Sequence, residues 1–528
     1  MVWRVAPSMG TLVCLASGAP MGAIRERRCP ETPGGRARAR FGLNLNLGSR
    51  LGLGLVACVL AVGCGVEVGE QEGHSARADV ERSRGPLTQS AYLWQRSWGA
   101  PVRAALDEAA AREDLGAVSI LAAELDTRGG PGHGAVEVQA VGWDPGALAR
   151  VRALGLVIRV GPWSGPFTGP DDQVLEPLLA AVDGQLAKAR SAGLELAELQ
   201  IDFDAGSAQL AGYGRWLEAV RAHTGDTPLT ITALPDWLGR PEFPALLELC
   251  DAWVLQVHGL DPSGGRALID IEAASRAVER AARIVDARGG APRFQVALPT
   301  YDYLLSPVRS VRSGRSGRSG RSGRSGFRVA GEQAPANPSL TSFRRVGSPP
   351  AVVAALVDGW TADRPAAMAG LVWFRLPVEG DRLAWSWRTF DAVRGSGSEL
   401  EPGPELEPGP RLDLGSLEPT LRLCTAAPPE TPGLFELRLE NDGRVDAWLD
   451  APHELELEPG ADLLASHGQA EFSLARSADS SSQLTLTPSV HQRLAPGQVR
   501  VVGWLRLDPA AQVAAIDEHG AALPPCHP

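Results

Sequence analysis

Asp202 and Asp204 stand two residues apart in Leu199-Gln200-Ile201-Asp202-Phe203-Asp204, and that spacing is the strongest chemical signal in the sequence. On an extended segment alternate side chains share a face, which sets the two carboxylates roughly 6 to 7 Å apart. Acids that close repel each other, and a partly dry setting raises the pKa of one, giving a proton donor beside an anion. Glycoside hydrolysis needs that division of labour. The plain alternative is a solvated pair, or acids held by a structural arginine such as Arg96, Arg159 or Arg375.

Other side chains fit the same chemistry. Of 14 tryptophans, Trp94, Trp98, Trp163, Trp237 and Trp373 fall at expected strand ends, where an indole face can stack on a sugar, although any one of them alone reads as core. Gln256 and His258 share a strand face and can hold a substrate hydroxyl or amide. Tyr301 and Arg375 complete the candidate substrate-binding set. His258 has no Cys or second His at ligand spacing, so no metal site and no cofactor are expected, and a metal-dependent hydrolase built on the Asp pair is the weaker reading. No nucleophile-elbow motif is present.

The elements that would position these groups are a repeating series. Short apolar runs at Ala91 to Trp94, Val118 to Leu125, Leu156 to Val160, Leu196 to Phe203, Leu229 to Ala233, Ala252 to Val257, Phe294 to Leu298 and Gly370 to Phe374 alternate with amphipathic stretches such as Leu175 to Ala192, Gln209 to His223, Pro241 to Cys250, Ile271 to Ala287 and Pro350 to Trp360. Eight strands alternating with helices predict an α/β fold, a (β/α)₈ TIM-type barrel over residues 91–395. In such a barrel functional groups lie at the C-terminal strand ends, where Asp202 and Asp204 fall. Val136 to Val141 is expected to form a hairpin beside strand two. An Arg-Ser-Gly repeat from Arg312 to Gly326 predicts a disordered insertion at 306–345, and the repeated Glu-Leu-Glu-Pro-Gly-Pro marks a linker at 396–418. Period-two runs over 419–528 then predict a small all-β sandwich, with Asn441-Asp442-Gly443 as a hairpin turn. Cys424 and Cys526 bracket that segment and are expected to be bridged, while Cys250 is expected to be a buried thiol.

The N-terminal 63 residues have the layout of an export signal. Scattered arginines precede an apolar run, Leu51 to Val62, that is too short for a permanent membrane span and ends in Leu60-Ala61-Val62-Gly63-Cys64. That ending resembles a bacterial lipobox, implying lipidation of Cys64, followed by a polar tether over 64–90; a plain secretory signal is the alternative. The stretch before Arg36 exceeds an ordinary basic leader, as it would if translation began further in. Because the first 63 residues hold eight Arg against two Glu, the −11 of the whole chain becomes about −17 from Cys64 onward, which speaks against nucleic acid as a partner.

Several segments also carry a family resemblance. Tyr92-Leu93-Trp94-Gln95-Arg96-Ser97-Trp98, Leu199 to Asp204, Ile231-Thr232-Ala233-Leu234-Pro235, Val254-Leu255-Gln256-Val257-His258 and Trp373-Phe374-Arg375-Leu376-Pro377 resemble the bacterial domain-of-unknown-function family 3142, which implies an uncharacterised lipoprotein and no established activity. More distantly, the order of signals resembles glycoside hydrolase family 18, the chitinase-like barrels. Strand four there ends in an acidic series whose last Glu donates the proton and whose Asp two residues earlier steadies the substrate acetamido group. The resemblance assigns those roles to Asp204 and Asp202, and Ala297-Leu298-Pro299-Thr300-Tyr301 and Trp373 also look similar. This chain departs from that pattern with Asp204 in place of the Glu, Gln200 and Ala197 in place of two earlier acids, and Gln256 with His258 where a Tyr is usual. A proton donor displaced by about 1 Å loses on the order of 100-fold in rate. The expectation is therefore an envelope lipoprotein, attached to the membrane through its lipid only, whose barrel binds a carbohydrate or cell-wall glycan and hydrolyses it by acid catalysis. The alternative is a non-catalytic lipoprotein that binds glycan or protein through the same rim.

Overall fold

Alternation of inward and outward side chains along eight short apolar runs organises the first half of the fold. The computed structural model describes residues 3–4, 80–127, 136–169, 171–260, 265, 267–307, 327–331, 335, 338–395, 417–427, 431–457, 460–469, 471–478, 480, 482–508, 515–517, 523 and 526. Strands β1 (Thr88–Leu93), β2 (Leu115–Asp126), β3 (Leu154–Val160), β4 (Leu196–Phe203), β5 (Leu229–Ala233), β6 (Ala252–Gln256), β7 (Phe294–Pro299) and β8 (Met368–Phe374) pair in parallel, each with the next. Because β1 pairs with both β2 and β8, the sheet closes into a barrel. Helices α1 (Ala100–Ala110), α2 (Pro145–Leu148), α3 (Leu175–Ser191), α4 (Leu210–Thr224), α5 (Phe243–Leu247), α6 (Ile271–Asp286), α7 (Pro350–Ala362) and α8 (Trp387–Arg394) follow the strands in turn. Local chemistry starts several of them: Asp270 accepts from the Ala273 amide at the head of α6, and Ser386 does the same for Thr389 at α8.

Two apolar layers result. Outward side chains such as Leu199, Ile201 and Phe203 pack with the helices in the larger core. Inward ones, among them Tyr92, Trp94, Leu121, Val157, Val254, Ala297 and Val372, fill the barrel. Below them Glu198 accepts from Ser119 Oγ and Thr230 Oγ1, both at 2.7 Å, so the acid deep in the barrel is hydrogen-bonded.

Three expected boundaries need correction. Strand β1 begins at Thr88 with Gln89 and Ser90 buried, and Arg82–Ser83 pairs with Arg364–Pro365, so residues counted as the end of the tether belong to the barrel. The insertion after β7 is not wholly irregular: Tyr303–Pro307 pairs antiparallel with Phe327–Ala330 and with Arg344–Val346, forming a small sheet at the barrel mouth. Helix α5 covers only Phe243–Leu247 of the stretch from Pro241 to Cys250. The strand Glu137–Ala140 does lie antiparallel to the end of β2. The Arg312 to Gly326 repeat, Cys64 with the signal segment, and residues 396–416 of the linker lie outside the described residues. Among the described residues no helix is long and apolar enough to cross a membrane.

After the linker come two four-stranded antiparallel sheets, one ordered Leu421–Ala426, Leu434–Asn441, Val499–Leu507, Leu463–Gly468, the other Phe472–Arg476, Gln483–Pro488, His453–Leu457, Ala515–Asp517. Leucines such as Leu437, Leu455, Leu486 and Leu505 fill the space between them. Cys424 and Cys526 are bridged, and Cys250 is a buried free thiol. Asn441-Asp442-Gly443 does not close a hairpin. The strand it ends pairs with Leu421–Ala426 and Val499–Leu507, while the next strand, Ala447–Leu449, pairs with Gln492–Leu494. Buried Asn441 instead donates to Val445 O and Leu494 O, both at 2.8 Å, and accepts from the Gly443 amide, so its side chain replaces a strand ladder.

Candidate active site

Parity on β4 decides where the acids go. Leu199, Ile201 and Phe203 face the helices with no exposed surface, so Gln200 and Asp202 point into the barrel and Asp204, just past the strand, continues that face. They border a cleft of about 460 Å³ at the C-terminal mouth, of a size that suits a small ligand. Tyr92 and Trp94 come to it from β1, Arg159 from β3, Thr232 from β5, Gln256 from β6 and Phe374 from β8, with Tyr303, Val329 and Gly331 supplied by the insertion sheet.

A chain of hydrogen bonds fixes the floor. Tyr92 hydroxyl donates to Gln200 Oε1 (3.0 Å), and Gln200 Nε2 donates to Thr232 Oγ1 (2.8 Å). Thr232 in turn hydrogen-bonds Asp202. The Asp202 side chain is 15% exposed and lies 3.8 Å from Arg159 Nε. Burial, with the negative charge of Asp204, pushes its carboxyl up to about 6, opposed by Arg159 and the Thr232 bond. Asp204 reaches solvent at the cleft mouth and makes no ion pair among the described residues. The surrounding walls still strip enough water to raise its carboxyl, with Arg159 opposing the shift and Asp236 adding to it. The two acids titrate as one interacting pair, and below about pH 6 they hold a shared proton.

Gln256 and His258 both line the cleft, as their shared parity implies. Gln256 Nε2 donates to the His258 carbonyl at 3.2 Å. Burial drives the His258 pKa down to about 3, so the imidazole is neutral, and neither ring nitrogen has a hydrogen-bond partner among the described residues. Its ring packs at 6.0 Å from both Tyr301 and Phe374. Tyr301 lies on the cleft wall, and Arg375, 1% exposed, reaches it while bonded to Asp381 Oδ2 (2.6 Å) and Gly331 O (2.9 Å).

The expected tryptophan rim is not there. Only Trp94 of the five borders the cleft. Trp373 has outward parity on β8, is fully buried against Phe390, and donates to Gln89 Oε1 at 2.9 Å. Trp237 sits on a 3₁₀ turn at Pro235–Gly239 and points into the helix layer, donating to Ala205 O at 2.9 Å. Trp163 is buried with its Nε1 on Pro166 O, and half-buried Trp98 packs beside the barrel core. Trp163, Trp237 and Trp373 follow outward or loop positions, where the helix layer takes up the indole. The aromatic wall is built instead from Tyr92, Trp94, Phe374, Tyr301 and Tyr303, with Trp94 and Phe374 at 5.0 Å and Tyr301 and Tyr303 at 5.0 Å. Parity with Trp94 and Val372 could have found Tyr92 and Phe374. No sequence signal pointed to Val329 or Gly331, which arrive from across the insertion.

Residues 157–379 match the family described as domain of unknown function (DUF3142), and residues 424–508 match domain of unknown function (DUF8456). No curated protein matches the chain. Among solved structures, the spore cortex-lytic enzyme SleL of Bacillus megaterium QM B1551 is 9% identical with a TM-score of 0.36, over 56% of this chain and 72% of that one. Chitinase ChiA74 from Bacillus thuringiensis is 10% identical with a TM-score of 0.34, over 81% of this chain and 100% of that one. The GH18 chitinase ChiB from Flavobacterium johnsoniae is 12% identical with a TM-score of 0.32, over 55% of this chain and 88% of that one.

Proposed function

We propose that the barrel binds a glycan in this cleft and hydrolyses it by acid catalysis, with Asp204 as proton donor and Asp202 as its partner. One observation carries the reading: Asp204 opens onto an aromatic-walled cleft and makes no ion pair among the described residues, beside a second carboxyl whose pKa burial has raised to about 6. A sugar ring held against the Tyr92, Trp94 and Phe374 wall would lie in the same cleft as Asp204. The Asp204 proton passes to the glycosidic oxygen as the C–O bond breaks and the leaving sugar departs as an alcohol; the positive charge building on the ring is met by the Asp202 carboxylate, and a water molecule then adds to the anomeric carbon, its proton returning to the carboxylate pair. Arg159 steadies Asp202 and favours the ionised form of both acids, while burial and the charge of Asp204 favour a proton on Asp202, so the donation from Asp204 draws on a proton that the pair shares.

Asp204→Asn tests this directly. In a panel of β-linked glycans it should remove turnover, by at least on the order of 100-fold, while leaving glycan affinity within a few-fold. A wild-type protein that binds glycan but never cleaves it, with Asp204→Asn binding equally, supports the non-catalytic reading, which the Asp in place of a Glu favours. A protein that neither binds nor cleaves any of the panel refutes both.

Export and lipid anchoring through Cys64 are part of the same proposal, and rest on Leu60-Ala61-Val62-Gly63-Cys64. Cys64→Ser should move the protein from the membrane fraction to the soluble fraction and abolish incorporation of a labelled fatty acid; unchanged partitioning would refute the anchor.

A further inference from the structure

The C-terminal sandwich grips the insertion that follows β7. Ser489 O accepts from the Leu340 amide (3.1 Å), the His491 amide donates to Pro338 O (2.9 Å), and the His491 ring bonds Phe343 O through Nε2 (3.0 Å). Asp450 Oδ2 accepts from Arg345 Nε at 2.9 Å and lies 3.9 Å from His491 Nδ1. The Arg345 guanidinium is 4.9 Å from the centre of the Trp448 ring, and Trp448 packs with Leu304, Ala330 and Leu383 in an apolar cluster that both domains share.

These contacts end directly behind the cleft wall. Arg345 stands opposite Leu304 in the insertion sheet, one residue along from Tyr303, and its Nη1 is 3.9 Å from Asp302 Oδ1. Buried Asp302 separates the two tyrosines of the wall in the chain. Its carboxylate accepts from the Ser348 amide (2.9 Å) and from the Trp448 side chain, so a sandwich residue completes its hydrogen bonding. Ser348 Oγ in turn donates to Tyr301 O (3.0 Å), and the Tyr301 hydroxyl donates to that of Tyr303 (3.0 Å). The Tyr303 ring lies so close to Gly331 that a Cβ there would run into it.

A buried carboxylate needs its bonds complete, and side chains joined in one polar network are coupled in position. We propose that the sandwich is a positioning element of the barrel cleft: Trp448, Asp450 and His491 hold Asp302 and Arg345 in place, and through them set the Tyr301 and Tyr303 wall. None of the three is among the residues lining the cleft, so they act through Asp302 and Arg345 and not on a ligand. This role holds whether the ligand is cleaved or only bound.

The chain has four tyrosines, Tyr92, Tyr213, Tyr301 and Tyr303, so the full chain labelled with 3-fluorotyrosine gives four fluorine resonances, assigned by replacing each tyrosine with phenylalanine. Tyr213, buried against Phe203 and Trp237 in the helix layer, reports general loosening. Asp450→Ala removes the acceptor of Arg345, and His491→Ala the bond to Phe343 O. In each, the Tyr301 and Tyr303 signals should shift or broaden by more than a linewidth while Tyr213 stays in place. Should one variant fail to fold, the other decides. With a glycan that the wild type turns over, Asp450→Ala should raise KM about 3- to 10-fold and leave kcat within about two-fold, because the acids on β4 are untouched. That arm rests on the proposed glycan chemistry and the fluorine arm does not, so a chain without turnover leaves the fluorine arm to decide. The proposal is overturned by unmoved Tyr301 and Tyr303 signals in the folded variants, by Tyr213 moving with them, or by a wild-type KM once the wall signals have moved.

Discussion

Replacing Arg159 with glutamine removes the cation that favours ionised Asp202, and its effect can be worked from the structure. At 3.8 Å two unit charges attract by about 4 kcal/mol at an effective dielectric of 20 and about 1 kcal/mol in water. With the two side chains 21% and 15% exposed, the pair falls between these limits, so about 1–3 kcal/mol is expected. That attraction exists only when Asp202 is charged. Its folded pKa of about 6 already lies above the unfolded value of 3.8, so Asp202 favours the folded state below about pH 4 and loses that contribution as pH rises to about 6. In Arg159→Gln the folded pKa climbs by roughly a further 1–2 units, and the loss continues toward pH 8. Wild type and variant should therefore unfold with similar free energies at pH 5 and diverge by about 1–3 kcal/mol at pH 8, read by thermal melts at roughly 2–4 °C per kcal/mol for a domain of this order. The control is the Asp202→Asn, Asp204→Asn double variant, in which Arg159→Gln should lose its pH dependence because Arg159 acts on both acids. An equal loss at both pH values, or a divergence that survives in the double-variant background, refutes the claim that Arg159 sets the charge of the pair.

Asp302, 3% exposed, is raised to about 6 by burial, with Arg345 and the Ser348 amide pulling the other way. The sign is the same as for Asp202: the carboxyl is harmless to the fold below about pH 4 and unfavourable above pH 6, so Asp302→Asn should stabilise at pH 8 by up to about 3 kcal/mol and change little at pH 4. A variant that melts lower at pH 8 would refute it. Among the tryptophans, Trp94→Ala should weaken glycan binding, whereas Trp373→Phe should lower stability by about 1 kcal/mol through loss of its bond to Gln89 and leave affinity unchanged. Titration with the best glycan of the panel checks both, and reduced affinity in Trp373→Phe would contradict the outward placement of that ring.

Periodicity is a local property, and it was enough for the barrel. Apolar runs of strand length separated by helical stretches gave eight strands in order, with β4 at Leu196–Phe203 and β5 at Leu229–Ala233 matching their expected limits residue for residue. The parity of Gln200, Asp202 and Asp204 followed from strand geometry alone, and so did that of Gln256 and His258. Cys424 and Cys526 were readable as a bridged pair because they bracket one segment of the chain.

Tertiary structure decided the rest, because it depends on what packs against each residue. An indole at a strand end can face the barrel or the helices, and only the phase of β8 and the position of Phe390 send Trp373 outward. Asn441 looked like a turn residue because its neighbours are Asp442 and Gly443, but Leu494, 53 positions away, supplies the carbonyl that makes it a buried strap. The charge state of Asp202 and Asp204 could not be read from their spacing either. Arg159 is some forty residues before them, Thr232 some thirty after, and the cleft walls around them combine the ends of several barrel strands with an insertion sheet whose strands are far apart in the chain. The sequence by itself placed two acids on one face at the mouth of a barrel; the fold determined that one is steadied by Arg159 and the other left open to a ligand, since electrostatics and solvation are set by neighbours in space.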